Sequence, residues 1–331
     1  MAGHICARRW VALASAAGML GVIQSVPAQE RFPGRPVVVL VPSAAGGGQD
    51  VVMRLVAPPL AKLLGQPVVV ENRPGASGSI ATAAVVKSKP DGHTLMVTSA
   101  TQGALNKHFQ KPLPYDPDKD LVAVAALAAG PNVLVISAAL PIRNVQELIA
   151  FAKSHPNKLT FASNGMGSGQ HMVGELFNQL ADVQIAHVPF KGSGEYLSQV
   201  IANNVSMGFA STLSTISLIN AGRLRALGVT TRTRVDSLPD VPSIAEFKPM
   251  SEFSYVNWVG LFAPAATPSE VVSAINRAVA ETLRDPVLAG ALRERGNDPV
   301  IMSTGEVQEY VRQQAARITR LVVDRNIQIT P

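Results

Sequence analysis

The sequence predicts an α/β protein of two domains, each a mostly parallel sheet flanked by helices. Short apolar runs of strand length alternate with amphipathic stretches of helical period. At 331 residues the chain is longer than one hydrophobic core usually serves. A strand, a glycine-rich loop and a helix follow one another twice, at Val37–Val41 into Pro42–Asp50 and at Leu159–Phe161 into Ser163–His171.

Residues 1 to 28 read as a secretory leader. Arg8 and Arg9 supply its positive end, Trp10 to Ile23 its apolar core, and Val26-Pro27-Ala28 a small-residue cleavage site. A membrane anchor needs a longer apolar stretch. Cleavage after about Ala28 predicts a periplasmic protein and removes Cys6, the one cysteine. The mature chain then has no disulfide, thiolate nucleophile or cysteine-bound metal. The formal charge is +6, two units of it from Arg8 and Arg9. That mild excess suits a small anionic ligand. Lys and Arg form no dense stripe and aromatic residues make up only 5%, which argues against nucleic acid.

The first glycine loop organises the rest. Val37–Val41 leads in as a buried strand, and a helix leads out with Asp50 placed to cap its first turn. Ser43, Ala44, Gly46, Gly47 and Gly48 lie between, with little side chain to hide the backbone. Such a turn at a helix N-terminus points several N–H groups and the positive end of the dipole at one place. A carboxylate is the simplest anion to fit. The plain alternative is a tight turn requiring positive φ. Nucleotides fit poorly: the chain has no Gly-Lys pair for a phosphate loop, and Val51 and Met172 stand where the dinucleotide pattern needs a third glycine.

Further along, Pro58-Pro59 predicts a kink or break near Ala57. Val68–Val70 is a strand, and Gly75, Ala76 and Ser77 form a second small-residue turn. A strand at Leu95–Val97 ends near Ser99 and Thr101, at the strand edge where open α/β sheets bind ligands. Residues 121 to 142 carry no charge, but Gly130-Pro131-Asn132 divides them into two strands. This is the passage between domains. Domain 1 is expected over 29–128 plus 262–331, and domain 2 over 129–261.

Asn144 and Glu147 form a capping box at the next helix. The second loop then offers Asn164, Gly167, Ser168 and His171, facing the first across a cleft. Strands follow at Ile185–Phe190, Val205–Phe209 and Arg225–Val229. After Trp258–Phe262, helices start at Thr267-Pro268-Ser269-Glu270, Asp285-Pro286 and Ser303, the second of them ending at Gly296. These last helices are expected to pack on the first domain.

Catalysis has little to stand on. His155, His171 and His187 lack metal-ligand spacing, so no metal or other cofactor is expected. Neither Ser77 nor Ser168 sits in a Gly-x-Ser-x-Gly frame. No paired carboxylates mark an acid–base site. Lys191 follows a strand and either reaches the cleft or sits on a solvated rim.

These residues together resemble the Bug-type extracytoplasmic solute receptors, related to tripartite tricarboxylate transporters. The resemblance rests on Pro42–Asp50, Glu71–Gly75, Pro90–Gly92, Leu113–Asp116, His187–Gly192, Gly222–Leu227, Leu238–Ser243 and Trp258–Pro264, in the family's order. It implies a Venus-flytrap of type II periplasmic-binding-protein form, a monomer that closes over a small carboxylate partly through ordered water. Carried over, the contacts run from Ser43 to Asp50 and Gly75 to Ser77, with Ser99 and Thr101. The second domain adds Asn164 to His171 and, after Phe209, Ala210 and Ser211. Many relatives carry an aspartate after that phenylalanine and an acid at the place of Ser206. Their absence removes repulsion toward a second carboxylate and a partner for an amine. The implied partner is an integral-membrane transporter. A membrane sensor is the alternative, and an enzyme on the same fold a third reading.

Overall fold

The computed structural model describes residues 32–99 and 113–324. Two sheets form. The first contains β1 (Val37–Val41), β2 (Val68–Asn72), β3 (Thr94–Thr98), β4 (Leu121–Gly130), β10 (Asn257–Pro264) and β11 (Asp298–Pro299), in the order β11-β4-β10-β3-β1-β2. The second contains β5 (Asn132–Ser137), β6 (Thr160–Ser163), β7 (Ala186–Pro189), β8 (Met207–Ser211) and β9 (Leu224–Val229), in the order β7-β6-β8-β5-β9.

The sheets are mixed, which corrects the mostly parallel expectation. Strands β2, β1 and β3 are parallel, as are β7, β6 and β8. Strand β10 runs antiparallel to β3 and β4, and β5 antiparallel to β8 and β9. The cause is the crossover. In each lobe the strand arriving from the other lobe is reversed, and in the first the short edge strand β11, antiparallel to β4, is reversed as well. The arriving strand enters at the edge where its neighbours end, so it must run away from that edge.

Helices cover both faces. In the first lobe Val39, Val41, Leu95 and Val97 pack against α1 (Gly48–Leu64), α7 (Ser269–Arg284) and α8 (Pro286–Arg293). Leu40, Met96 and Trp258 on the other face meet α2 (Ser79–Val86) and Val307 of α9 (Thr304–Asp324). The C-terminal helices therefore do return to the first lobe. In the second lobe Leu134, Phe161 and Phe209 pack with α3 (Val145–Ser154) and α4 (Gly169–Ala181), and Val133, Val135 and Ala210 with α5 (Ser193–Ile201). Leu213, in the first turn of α6 (Thr212–Asn220), is the exception: it joins the first lobe's core beside Val52 and Leu292.

Three local expectations change. Helix α1 continues through Pro58 and Pro59. Each proline loses one helical hydrogen bond, but Val52, Met53, Val56, Ala57 and Leu60 are buried along one face and hold the helix in place. Helix α7 begins at Ser269 without a side-chain cap, one turn position later than the Thr267 cap predicts. Helix α8 ends at Arg293, and Gly296 (φ 72°) closes the turn beyond it. The boxes at Asn144/Glu147 and Ser303/Glu306 form, with Glu147 N–H donating to Asn144 Oδ1 at 2.8 Å and Ser303 N–H to Glu306 Oε2 at 2.7 Å. Among the described residues no helix is long and apolar enough to cross a membrane.

Candidate functional site

Parallel neighbours deliver their C-terminal ends to one edge. Strands β1 and β3 place Ser43 and Ser99 there in the first lobe, and β6 and β8 place Asn164 and Ser211 there in the second. These four line a cavity of about 20 Å³ between the lobes. It is room for roughly one water. Pro42, Gly48 and Gln49 close it from the start of α1, and Ser168, Gly169 and Gln170 from the start of α4. Tyr255 and Asn257, on the strand segment returning to the first lobe, complete it.

The starts of α1, α4 and α6 thus converge on the cavity, and among the described residues none that lines it is charged. Positive potential here comes from helix ends and backbone N–H groups. The Ser43 hydroxyl is buried with no hydrogen-bond partner. Ser168 and Ser211 are the N-caps of α4 and α6, accepting from His171 N–H and Leu213 N–H at 3.3 Å each.

The first loop is held by charge. Asp50 is buried, and its carboxylate accepts from Gly46 N–H at 2.9 Å, Arg54 Nε at 2.9 and 3.0 Å, and Asn72 Nδ2 at 2.9 Å. Burial works against the charged form, but the hydrogen bonds from Arg54, Gly46 and Asn72 outweigh it and keep the carboxyl below its ordinary range. Asn72 also donates to Ser43 O at 3.0 Å, fixing the residue whose hydroxyl faces the cavity. Asp50 is the third residue of α1 and not its cap, a role taken by Gly47. Its side chain binds the loop back onto the helix, as the acid of a capping box does.

The second loop is held by serine and histidine side chains. Gly167 N–H donates to His171 Nδ1 at 3.0 Å, and Gly165 N–H to Ser163 Oγ at 3.0 Å. Ser163 Oγ lies 2.6 Å from His187 Nε2. The His171 and His187 rings stack at 3.8 Å. Burial, with the neighbouring His171, lowers the His187 pKa to about 3.

Glycines let the lobes touch. A Cβ on Gly48 would stand 3.0 Å from Ser211 Cβ, one on Gly165 3.0 Å from Ser77 Oγ, and one on Gly192 2.9 Å from Ala44 Cβ.

Of the residues singled out from sequence, Ser43, Gly48, Ser99, Asn164, Ser168 and Ser211 line the cavity. Ala44 and Ser77 stand at the seam between the lobes, Ser77 in the turn with Gly75 and Ala76. Gly46, Gly47, Asp50, Gly167 and His171 shape the loops from behind. Ala210 turns away from the cavity into the core, because β8 alternates and its neighbour Ser211 takes the cleft face. Thr101 lies outside the described residues. Lys191 is exposed, its backbone N–H donating to Glu195. Tyr255 and Asn257 were missed; two polar residues just before the apolar run Trp258–Phe262 were the available signal. Among the described residues no group of three His, Cys, Asp or Glu side chains is placed to hold a metal.

Known proteins share this fold. The Tripartite tricarboxylate transporter family receptor pattern matches residues 52–327. Protein BugT of Bordetella pertussis is 33% identical over 289 residues, 87% of this chain and 88% of BugT. Rpa4515 of R. palustris, solved with adipate, is 33% identical with a TM-score of 0.84, covering 88% of this chain and 97% of its own. MatC (Rpa3494) of Rhodopseudomonas palustris, solved with bound malate, is 31% identical with a TM-score of 0.82, covering 88% and 100%. The chain belongs to the tripartite tricarboxylate transporter receptor family, as a Bug-type periplasmic substrate-binding protein with a two-domain Venus-flytrap fold, and not an enzyme.

Proposed function

We propose that this receptor closes its two lobes over a small carboxylate and presents the closed form to an integral-membrane transporter. The observation that carries the reading is the convergence of three helix N-termini on a cavity whose lining, among the described residues, is uncharged. Such a site favours negative charge without committing a side-chain cation to it. The unpartnered Ser43 hydroxyl supplies a further donor. The adipate and malate bound to two relatives are ligands of the same class.

A cavity of about 20 Å³ is too small for even a four-carbon acid, so ligand enters with the lobes parted and the seam closes behind it. The lobes divide at Pro131 and near Val256, the two points where the chain passes from one sheet to the other. The secreted form begins near Gln29 and acts as a monomer.

Titration calorimetry with malate, adipate, succinate and their one-carboxylate counterparts tests the central claim. Micromolar binding of at least one acid is expected, with a smaller radius of gyration in solution scattering at saturation. Absence of binding across the panel rejects the reading. Capture from membranes with and without that acid tests the transporter.

A further inference from the structure

We infer that Asn132, buried beside the cavity-lining Ser211, reads one end of the ligand from the second lobe's sheet. The inference rests on the carboxylate-receptor reading and adds to it the residue that selects for a second polar group. Asn132 opens β5 immediately after the chain crosses at Pro131, and it is fully buried. Its backbone is satisfied on one side, accepting Thr230 N–H at 2.9 Å and donating to Thr230 Oγ1 at 2.9 Å. Its side chain is not: neither Oδ1 nor Nδ2 has a partner. An amide in that position is costly unless something outside the fold satisfies it.

Register says what that is. Asn132 pairs with Ser211 of β8, and residues directly opposite in a ladder point to the same face. Ser211 lines the cavity. Thr230, on the other side of Asn132, ties to Tyr255, which donates its N–H to Thr230 O at 2.8 Å and also lines the cavity. The amide therefore shares its sheet face with the cavity-lining Ser211, the face on which Val173, Leu176 and Phe177 of α4 pack further along the strands. Two residues further along the same face, Leu134 and Phe209 pair and are core. Asn132 is the last polar group before that core begins.

An amide here offers a donor to an oxygen, directly or through an ordered water, and carries no charge. Aspartate would repel a second carboxylate, and leucine would welcome a methyl end. The geometry thus points to a ligand with oxygen at both ends, a diacid, and against a fatty monoacid of the same length.

The test compares pairs of equal chain length, adipate with hexanoate and succinate with butyrate, by calorimetry on wild type, Asn132→Leu and Asn132→Asp. Wild type is expected to prefer the diacid. Asn132→Leu should weaken the diacid by tenfold or more and leave the monoacid unchanged or tighter, collapsing the ratio. Asn132→Asp, close in size, keeps the test alive if the leucine variant misfolds. It too should lose the diacid selectively at pH 7.5. If folded variants weaken both acids equally, or neither, Asn132 is an interior packing residue and the inference falls while the receptor reading stands. A wild type that binds no carboxylate removes both.

Discussion

The two glycine loops do the same job with different chemistry. Each joins a strand to a helix and turns that helix N-terminus toward the cavity. In the first lobe the loop is tied down by an ionised, buried Asp50 with Arg54 and Asn72 around it. In the second it is tied down by the Ser168 cap and by a pair of stacked histidines, one of which accepts Gly167 N–H. Neither arrangement spends its holding groups on ligand: Asp50, His171 and His187 sit behind the loops and leave backbone and hydroxyls in front. A family of loops that look alike in sequence can therefore differ in what breaks them. One depends on a carboxylate staying charged, the other is backed by His187, whose burial disfavours its charged form.

The largest effect should come from the seam. Gly48→Val puts branches against Ser211 from the opposite lobe, where even a Cβ is at 3.0 Å. Closure is blocked while the open form is untouched. Affinity should fall about 100-fold or more with little change in the melting temperature of the free protein. Gly165→Ala differs, because Gly165 has φ 106°, and it should lose stability as well as affinity. Gly47→Ala meets only its own lobe, with Ser43 Oγ at 3.2 Å, and should cost less than Gly48→Val. Calorimetry paired with thermal melts separates the three. Equal affinity for Gly48→Val and wild type would mean the lobes do not close along this seam.

Next in size are the loop anchors. Asp50→Ala removes charge-assisted hydrogen bonds from Arg54, strands Gly46 N–H and costs Asn72 one of its hydrogen bonds, a loss of about 2–3 kcal/mol in folding stability. Ser168→Ala removes a helix cap and should cost about 1 kcal/mol. Chemical denaturation measures both. If the serine is the more costly of the two, the charged anchor is not what holds the first loop.

Acid should open the loops in a fixed order. His187 has a folded pKa near 3 against about 6.5 unfolded, so between these values the unfolded chain binds a proton that the native protein does not. Stability from this group is complete above about pH 6.5 and declines as pH falls toward 3. Asp50 has a lowered pKa, so its contribution persists until the pH drops through the ordinary carboxyl range near 4 and below. The second loop gives way first. Melting temperature followed from pH 7.5 to 4 should fall less steeply in His187→Gln than in wild type. Parallel curves would show that His187 does not carry this acid response.

Much of this was legible before any coordinates. Glycine runs after apolar strands point to the loops that meet between the lobes because few other needs put three small residues in succession, and Ser43, Gly48, Asn164, Ser168 and Ser211 line the cavity there. Capping boxes survived because they are local. Strand direction did not survive: an apolar run such as Asn132–Ser137 is the same whichever way it lies, and only the crossover makes it antiparallel. Loop residues behind and in front of the site were confused for a similar reason. Asp50 and His171 are polar, near the glycines, and turned the other way, which composition cannot express. Tyr255 and Asn257 come from a distant part of the chain and enter the site only because the return strand passes the cleft.

The smallest expected effect is the most direct check on what holds the ligand. If negative charge is met by helix ends and N–H groups in a closed cleft, the bonds are short and shielded from solvent, and salt has little to screen. A side-chain cation at the rim would behave differently, losing affinity steeply as ionic strength rises. Lys191 is the nearest such cation that the sequence suggested, and it stands exposed on the strand-to-helix loop with its backbone engaged by Glu195. Affinity for the preferred acid should therefore change by less than about threefold between low and high salt, where the Debye length shrinks from ~30 to ~3 Å. Lys191→Ala should be close to wild type at both ends. The two loops predict this jointly, since both present neutral groups to the cavity despite their different anchors. A steep salt dependence that Lys191→Ala abolishes would hand the anchoring role to that lysine and leave the glycine loops as spacers.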